Sequence, residues 1–310
     1  MNTLDRIAGQ PSLSQLAGAV LHVFPGHAAY LRARFAADED SYLERTEAMA
    51  ARVLAICGEK LSTYAIDYRW MCERFLEEEV HFARTGRYRL SSFDQATAEV
   101  YADPGYMERY VRGILLSQVL WAPHARAIDV FGTRFLPSLK PSARYLEIGP
   151  GHGLFLHWAS LFSSIATIEA WDVSPSSLAE TRHALAALGT SRHIELKLCD
   201  LQSAHVPTAA FEAAVISEVL EHLEEPGRAL AALRRTLTST GRLFVNVPIN
   251  SPAPDHIFLL RSPDEATALV EAAGFTIESL DLLPLTGVTL ERALRKGMSV
   301  SCVIVATACD

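Results

Sequence analysis

The stretch Glu147-Ile148-Gly149-Pro150-Gly151-His152-Gly153 places a carboxylate directly before a loop with glycine at every second position. Glycine lets a backbone turn sharply and lie flat against a ligand, with no Cβ in the way. A dinucleotide loop would read G-x-G-x-x-G. Here Gly153 comes one place early and Leu154 follows it. Two further acids end apolar runs: Asp172, followed by Val173 and Ser174, and Asp200, followed by Leu201. A carboxylate at the C-terminal end of a strand can accept both hydrogen bonds of a ribose diol. One at the end of the next strand can accept from an exocyclic amine. A fourth apolar run ends at Ser217 and leads into Glu218-x-x-Glu221-His222. This crest offers two carboxylates and an imidazole within one helical turn. With His256 as a further ligand, the set could hold a divalent ion. It could equally border a reacting centre, with His222 as general base and Glu218 beside it. The second reading is preferred: a divalent metal can be accommodated but is not expected, and no metal ligand is assigned.

Such residues need a scaffold that brings strand ends together. Residues 145–148, 168–172, 194–198 and 211–217 read as strands. The segment 237–248 reads as a helix end, a turn at Gly241 and a fifth strand. Gly274-Phe275 leads into a sixth, and 300–308 is a seventh. Helix 175–188, stopped by Gly189, follows the second strand. Strands alternating with helices at this spacing predict an α/β, doubly wound, mostly parallel sheet.

The pattern E-x-G-x-G-x-G resembles motif I of the class I S-adenosylmethionine (SAM) methyltransferases, and the resemblance covers about residues 137–310. Glu212 stands where that family often has Asp. The resemblance implies a Rossmann-like, seven-stranded sheet and SAM as cofactor. By it, Gly149, Gly151 and Gly153 shape the loop under the amino-acid end of SAM, and Glu147 orients that end. Asp172 with Val173 takes the ribose, Asp200 with Leu201 the adenine, and Ser217 and the crest flank the reacting centre. The crest E-x-x-E-H is similar to that of ubiquinone-pathway O-methyltransferases and of small-RNA 2′-O-methyltransferases, where it binds metal. The related E-V-L-E-H also occurs in members of the fold with no known metal.

Residues 1 to about 136 show helical periodicity and no strand pattern. Met49, Val53 and Ile56 share a face, as do Tyr64, Tyr68, Met71 and Phe75 on a helix that Gly86 stops. Pro104-Gly105 reads as a turn before a helix carrying Tyr106, Tyr110, Ile114 and Leu115. Pro123 opens another, with Ile128, Phe131 and Phe135. The chain is therefore divided into an all-helical lid or substrate domain, 1–136, and a catalytic domain, 137–310. Aromatic faces can hold a sulfonium, so Tyr64, Trp70, Tyr101, Tyr106, Tyr110 and Trp121 are candidates to line the covered space. Tyr106 and Tyr110 join His222 and Glu218 as candidate catalytic residues. Glu78-x-x-His81 occurs once, whereas a di-iron bundle needs two such motifs; it reads as a solvated helical face.

Composition narrows the function. The 310 residues carry a net charge of −8 and show no basic stripe, so nucleic acid is not an expected partner. No apolar run is long enough to span a membrane. The first ten residues, with Asp5 and Arg6, lack the apolar core of a signal peptide. Five scattered cysteines without a C-x-x-C pair read as reduced thiols, mostly in the core, of a cytoplasmic protein. A homodimer is compatible with this. The expected activity is methyl transfer from SAM to a small-molecule acceptor. One alternative is cyclisation of SAM itself to azetidine-2-carboxylate and methylthioadenosine; another is a catalytically silent SAM-binding regulator.

Overall fold

Alternation along the strands sorts the side chains into two cores. The computed structural model describes residues 5–36, 38–202 and 206–309. Its strands are β1 (Ala143–Ile148), β2 (Ile165–Asp172), β3 (Glu195–Leu198), β4 (Phe211–Ser217), β5 (Leu237–Ile249), β6 (Phe275–Pro284) and β7 (Val300–Ala308). They form one sheet in the order β3-β2-β1-β4-β5-β7-β6, and only β7 runs antiparallel to its neighbours. Tyr145, Ile168, Val215 and Phe244 face one core. Leu146, Ile148, Ile216 and Val245 face the other, together with Leu230 and Leu233 of the helix Pro226–Thr236. The result is the expected doubly wound, seven-stranded sheet between helical layers. Strand order reverses between β1 and β4, and the crevice at that switch point is where α/β sheets bind ligands.

The N-terminal helices do not keep a core of their own. Leu16, Val53, Tyr68, Met71 and Leu116 belong to the same continuous buried cluster as Tyr145, Phe155 and Phe244 of the sheet side. The division at residue 136 falls within the short 3-10 turn Leu136–Ser138, and it stands as a proposal about organisation. Met49, Val53 and Ile56 are buried in the helix Asp40–Cys57, and Gly86, left-handed at φ +66°, ends the helix Leu61–Thr85. A separate small cluster, Leu90, Ala96 and Val100, lies under the segment around Phe93–Ala96 and Thr97–Tyr101.

Several local expectations change. Pro104-Gly105 is the first turn of the helix Pro104–Leu120: Asp103 accepts from the N–H groups of Gly105 and Tyr106, at 2.9 and 3.1 Å. This is N-capping, with proline where its missing N–H is harmless. Gly241 makes no turn. The strand runs unbroken through it, and the extra residues form a bulge between the pairs Phe211–Leu237 and Ala213–Arg242. Glu78 is buried and takes a 2.8 Å ion pair from Arg89, so it is not a solvated face. Of the five cysteines, only Cys57 and Cys302 are buried, and Cys309 is exposed. No helix among the described residues is long and apolar enough to cross a membrane.

Candidate functional site

Strand β1 delivers Glu147 to the crevice. Its carboxylate is buried and accepts a 2.8 Å hydrogen bond from the Tyr145 hydroxyl. Desolvation pushes its pKa up to about 8, with the Tyr145 bond pulling the other way. The loop then takes three left-handed residues in alternation, Gly149, Gly151 and Gly153, at φ +66°, +46° and +68°. At Gly149 the demand is also steric, since a Cβ there would sit 2.6 Å from Val219 Cγ2 of the crest. Thr181, on the helix Pro175–Ala187, ties the loop down by donating to the Gly151 carbonyl at 2.7 Å. His152 Nδ1 accepts from the Leu154 N–H at 3.2 Å, and burial lowers its pKa to about 4, so the ring is neutral.

The crest opens with strain. Glu218 sits at φ +53°, a left-handed conformation that is costly outside glycine. Its N–H donates to the Asn246 carbonyl at 2.8 Å, and Asn246 Nδ2 donates to Ser217 Oγ at 3.2 Å. The next turn, Leu220–His222, is a 3-10 turn that buries Glu221 completely. The Glu221 carbonyl accepts from the N–H groups of Ile257 and Phe258, at 3.0 and 2.9 Å, which brings the 255–258 loop against the crest. Asp255 there accepts from the Tyr110 hydroxyl at 2.9 Å and from Tyr101 at 3.3 Å. Burial raises the pKa values of both Glu218 and Glu221; the carboxylates of Glu218 and Asp255 add to the rise at Glu221, whereas hydrogen bonds to Glu221 and Asn246 pull Glu218 the other way.

These parts surround one cavity of about 210 Å³. Of the residues singled out in the sequence, Glu147, Gly149, Gly151, Ser217, Glu218, His222 and Tyr110 line it, together with Trp121, His152 and His256. Tyr101 reaches it indirectly, 3.4 Å from His222 Nδ1. Gly153 lies behind the loop, against Thr181. Asp172, Val173, Asp200 and Leu201 lie outside the lining. Asp172 accepts from Ser174 N at 2.8 Å and Ser177 Oγ at 2.7 Å, and Asp200 from Gln202 N at 2.8 Å. Val173 is exposed, while the Leu201 side chain is packed in the core. Tyr106 turns its ring edge-on to Trp70, and Trp70 in turn lies under Arg109. Tyr64 is buried beneath Arg112.

The sequence reading missed several lining residues. Phe75 packs against Tyr110 and edge-on to Trp121, completing an aromatic wall. Gln118 and the half-buried His124 add a pair of polar groups in mutual contact, and desolvation lowers His124 to about 3. Asn246 left one readable signal, a lone amide inside the apolar strand Leu243–Val247.

A glycine cradle that a Cβ would fill, an acid at the end of β1 and another at the end of β2 fit SAM. A model of the family described as "Methyltransferase domain" matches residues 121–280. No curated protein matches the chain. Among solved structures, the SAM-dependent methyltransferase SibL is similar at 13% identity, over 81% of this chain and 74% of that one, with a TM-score of 0.54. A proposed sarcosine dimethylglycine methyltransferase from Galdieria sulphuraria is similar at 11% identity, over 63% and 88%, with a TM-score of 0.51. The [4+2]-cyclase SpnF is similar at 19% identity, over 62% and 82%, with a TM-score of 0.50. At these identities the structures bear on the fold alone. The chain belongs to the methyltransferase-domain family of the class I SAM-dependent superfamily, and its cofactor is SAM.

Proposed function

We propose that the chain transfers the methyl group of SAM to a small-molecule acceptor and releases S-adenosylhomocysteine. The observation that carries this reading is the single cavity that joins the glycine loop to an acid- and imidazole-bearing crest and an aromatic wall. SAM supplies an electrophilic methyl on a sulfonium. In-line displacement demands that the acceptor atom be held on the methyl axis, so positioning supplies much of the rate. Phe75, Tyr110 and Trp121 offer faces to a cation. The Tyr110 hydroxyl is committed to Asp255, which leaves Glu218 and His222 as groups that can take the acceptor's proton. Asp172 and Asp200 are assigned to ribose and adenine on the open side of the glycine loop. Within the superfamily we assign the chain to the small-molecule branch, working as a cytoplasmic protein.

A fold of this kind does not fix the reaction, and cyclisation of SAM would use the same pocket. Incubation with SAM alone and with candidate acceptors, followed by mass spectrometry, tests the reading. S-adenosylhomocysteine formed only with an acceptor is expected. Methylthioadenosine formed well above the spontaneous rate without one would sink it.

Glu147 gives a second test. The ammonium of SAM's amino-acid end beside Glu147 would favour the ionised carboxylate. Across the cavity His124 and His152 are neutral and offer no competing cation. Binding at pH 7 is therefore expected to release about one proton, read by calorimetry in buffers of different ionisation heat. Glu147→Gln should release none. In the free protein the sign is also set. Folded Glu147 keeps its proton up to about 8 while the unfolded chain loses it near 4.5, so its contribution to stability falls as pH rises through that window. Proton release unchanged in Glu147→Gln would remove Glu147 from the SAM contact.

A further inference from the structure

The crest side of the cavity is rich in acceptors and has no cation to face them. Among the described residues that line it there is neither lysine nor arginine. On the helices Leu61–Thr85 and Pro104–Leu120, which carry Phe75 and Tyr110 of the wall, the arginines turn to acids of their own. Arg74 pairs with Glu77 at 2.5 Å, and Arg109 and Arg112 pair with Asp67 at 2.9 and 3.4 Å. The donors of the wall are occupied as well. Trp121 Nε1–H donates to the Tyr68 hydroxyl at 2.9 Å, the Tyr110 hydroxyl to Asp255 at 2.9 Å, and Gln118 Nε2–H to the Ile114 carbonyl at 3.3 Å.

Acceptors remain. Glu218 Oε1 and Asn246 Oδ1 are buried and have no hydrogen-bond partner. The His222 Nδ1–H donates to the Asp255 main-chain oxygen at 3.2 Å, and the His256 Nδ1–H to the Ser251 main-chain oxygen at 2.6 Å. In a neutral imidazole the other nitrogen is then an acceptor, and burial holds His256 neutral by lowering its pKa to about 4. Behind them lies the wholly buried Glu221, with Oε1 3.8 Å from His222 Nε2 and 3.9 Å from His256 Nε2. Burial raises both crest carboxyls, and Glu221 rises further because Glu218 and Asp255 face it. Glu218 is therefore the one that ionises first, and it is the one that lines the cavity. An anionic acceptor would enter beside Glu218 with no counter-charge, leaving the desolvation of both uncompensated. A neutral alcohol brings a single donor. An ammonium brings up to three N–H donors and the matching charge.

We propose that the acceptor is a primary or secondary amine, bound as its ammonium with N–H groups on Glu218 Oε1 and the neighbouring crest acceptors and with its apolar body against Phe75, Tyr110 and Trp121. This rests on the methyl-transfer reading of the cavity and names its substrate class. Glu147 is left to the ammonium of SAM itself. Before attack the bound ammonium passes one proton to Glu218 or to His222 Nε2. The freed lone pair on nitrogen forms the new N–C bond to the methyl group as the C–S bond breaks. The C–S electron pair stays on sulfur, which loses its charge, and the product leaves as the N-methylated ammonium.

The test uses full-length protein saturated with S-adenosylhomocysteine, in buffer containing a chelator, so that neither turnover nor metal enters the measurement. Calorimetry compares matched amines, alcohols and carboxylates carrying phenyl, indole and straight-chain bodies. At least one amine should bind at least about tenfold more tightly than its matched alcohol, as a charge-assisted hydrogen bond requires, and its matched carboxylate should not bind. Glu218→Gln, shown to be folded by circular dichroism, should shrink that preference to about twofold or less. Should the variant fail to fold, the ranking of amine over alcohol in the wild-type protein decides. Amines that bind no better than their alcohols, carboxylates that bind more tightly than amines, or a preference unchanged in folded Glu218→Gln would each overturn the proposal. Turnover with SAM, followed by mass spectrometry, is read separately. Amines that bind with this preference but gain no methyl group would count against methyl transfer and not against ammonium recognition, whereas methylated alcohols with no methylated amine would do the reverse.

Discussion

Gly149→Val should reduce SAM affinity by more than a hundredfold. The residue stands at φ +66°, where a β-branched side chain is strongly disfavoured. The new Cβ would also lie 2.6 Å from Val219 Cγ2. Neither effect alone would empty the pocket. Backbone strain of this kind costs about 1–3 kcal/mol, and a hundredfold loss corresponds to about 2.7 kcal/mol. The clash adds to the strain, because Val219 directly follows Glu218, so relieving it moves the crest as well as the loop. Calorimetry with SAM and S-adenosylhomocysteine measures the loss. A double variant separates the two causes. Gly149→Ala with Val219→Ala removes the Cγ2 atom and should bind SAM more tightly than Gly149→Ala alone. Equal affinities would mean that the backbone conformation, not the crest contact, governs the site.

The second large effect concerns Gly113, in the middle of the helix Pro104–Leu120. A Cβ at this position would lie 2.8 Å from both Cβ and Sδ of Met71 and 3.3 Å from the Asp67 carbonyl. Glycine in a helix interior normally destabilises by up to about 1 kcal/mol relative to alanine, so propensity alone would make Gly113→Ala stabilising. The contact decides otherwise. Met71 Cβ and a backbone carbonyl cannot swing away as a side-chain end can, so the two helices must separate. Overpacking of this kind costs about 1–3 kcal/mol. Gly113→Ala should therefore lower the urea midpoint, and Gly113→Val should lower it further. A midpoint raised by Gly113→Ala would show that the helices part easily. The same helix carries Met107, Tyr110, Val111, Ile114 and Gln118 of the cavity lining, so the folded variant should also bind ligand more weakly.

Why some of this was legible in the sequence follows from the range of the forces involved. The glycine loop was readable because left-handed φ values leave few residue choices. The strands were readable because two faces buried in different cores give long apolar runs. Asp172 illustrates a half-readable case: Asp172-Val173-Ser174-Pro175-Ser176-Ser177 carries local capping chemistry, and the acid does make those local bonds. Gly241 misled because a bulge and a turn ask for the same residue. The crest's composition was plain, but its convergence was not. His256 reaches Glu221 only because the Glu221 carbonyl holds the 255–258 loop, and a main-chain acceptor leaves no mark in sequence. Asp255 was invisible as a partner for the same reason. Its two tyrosines come from a helix and a turn about 150 positions away.

The shared core of the N-terminal helices and the sheet constrains how molecules enter and leave. A cover hinged as a rigid body would have to peel Val53, Tyr68 and Met71 away from the cluster that holds Phe155 and Phe244. Exposing that apolar area is penalised in proportion to its size, at roughly 25 cal/mol per Å². The segment carrying Phe93–Ala96 and Thr97–Tyr101 is held differently, by the small Leu90, Ala96 and Val100 cluster and by a bond from the Phe93 N–H to Glu224. Local loosening of this strip exposes far less, and Tyr101 at its end is what touches His222 and Asp255. Opening this short strip beside the crest would therefore cost less than swinging the rest of the helical third away from the sheet.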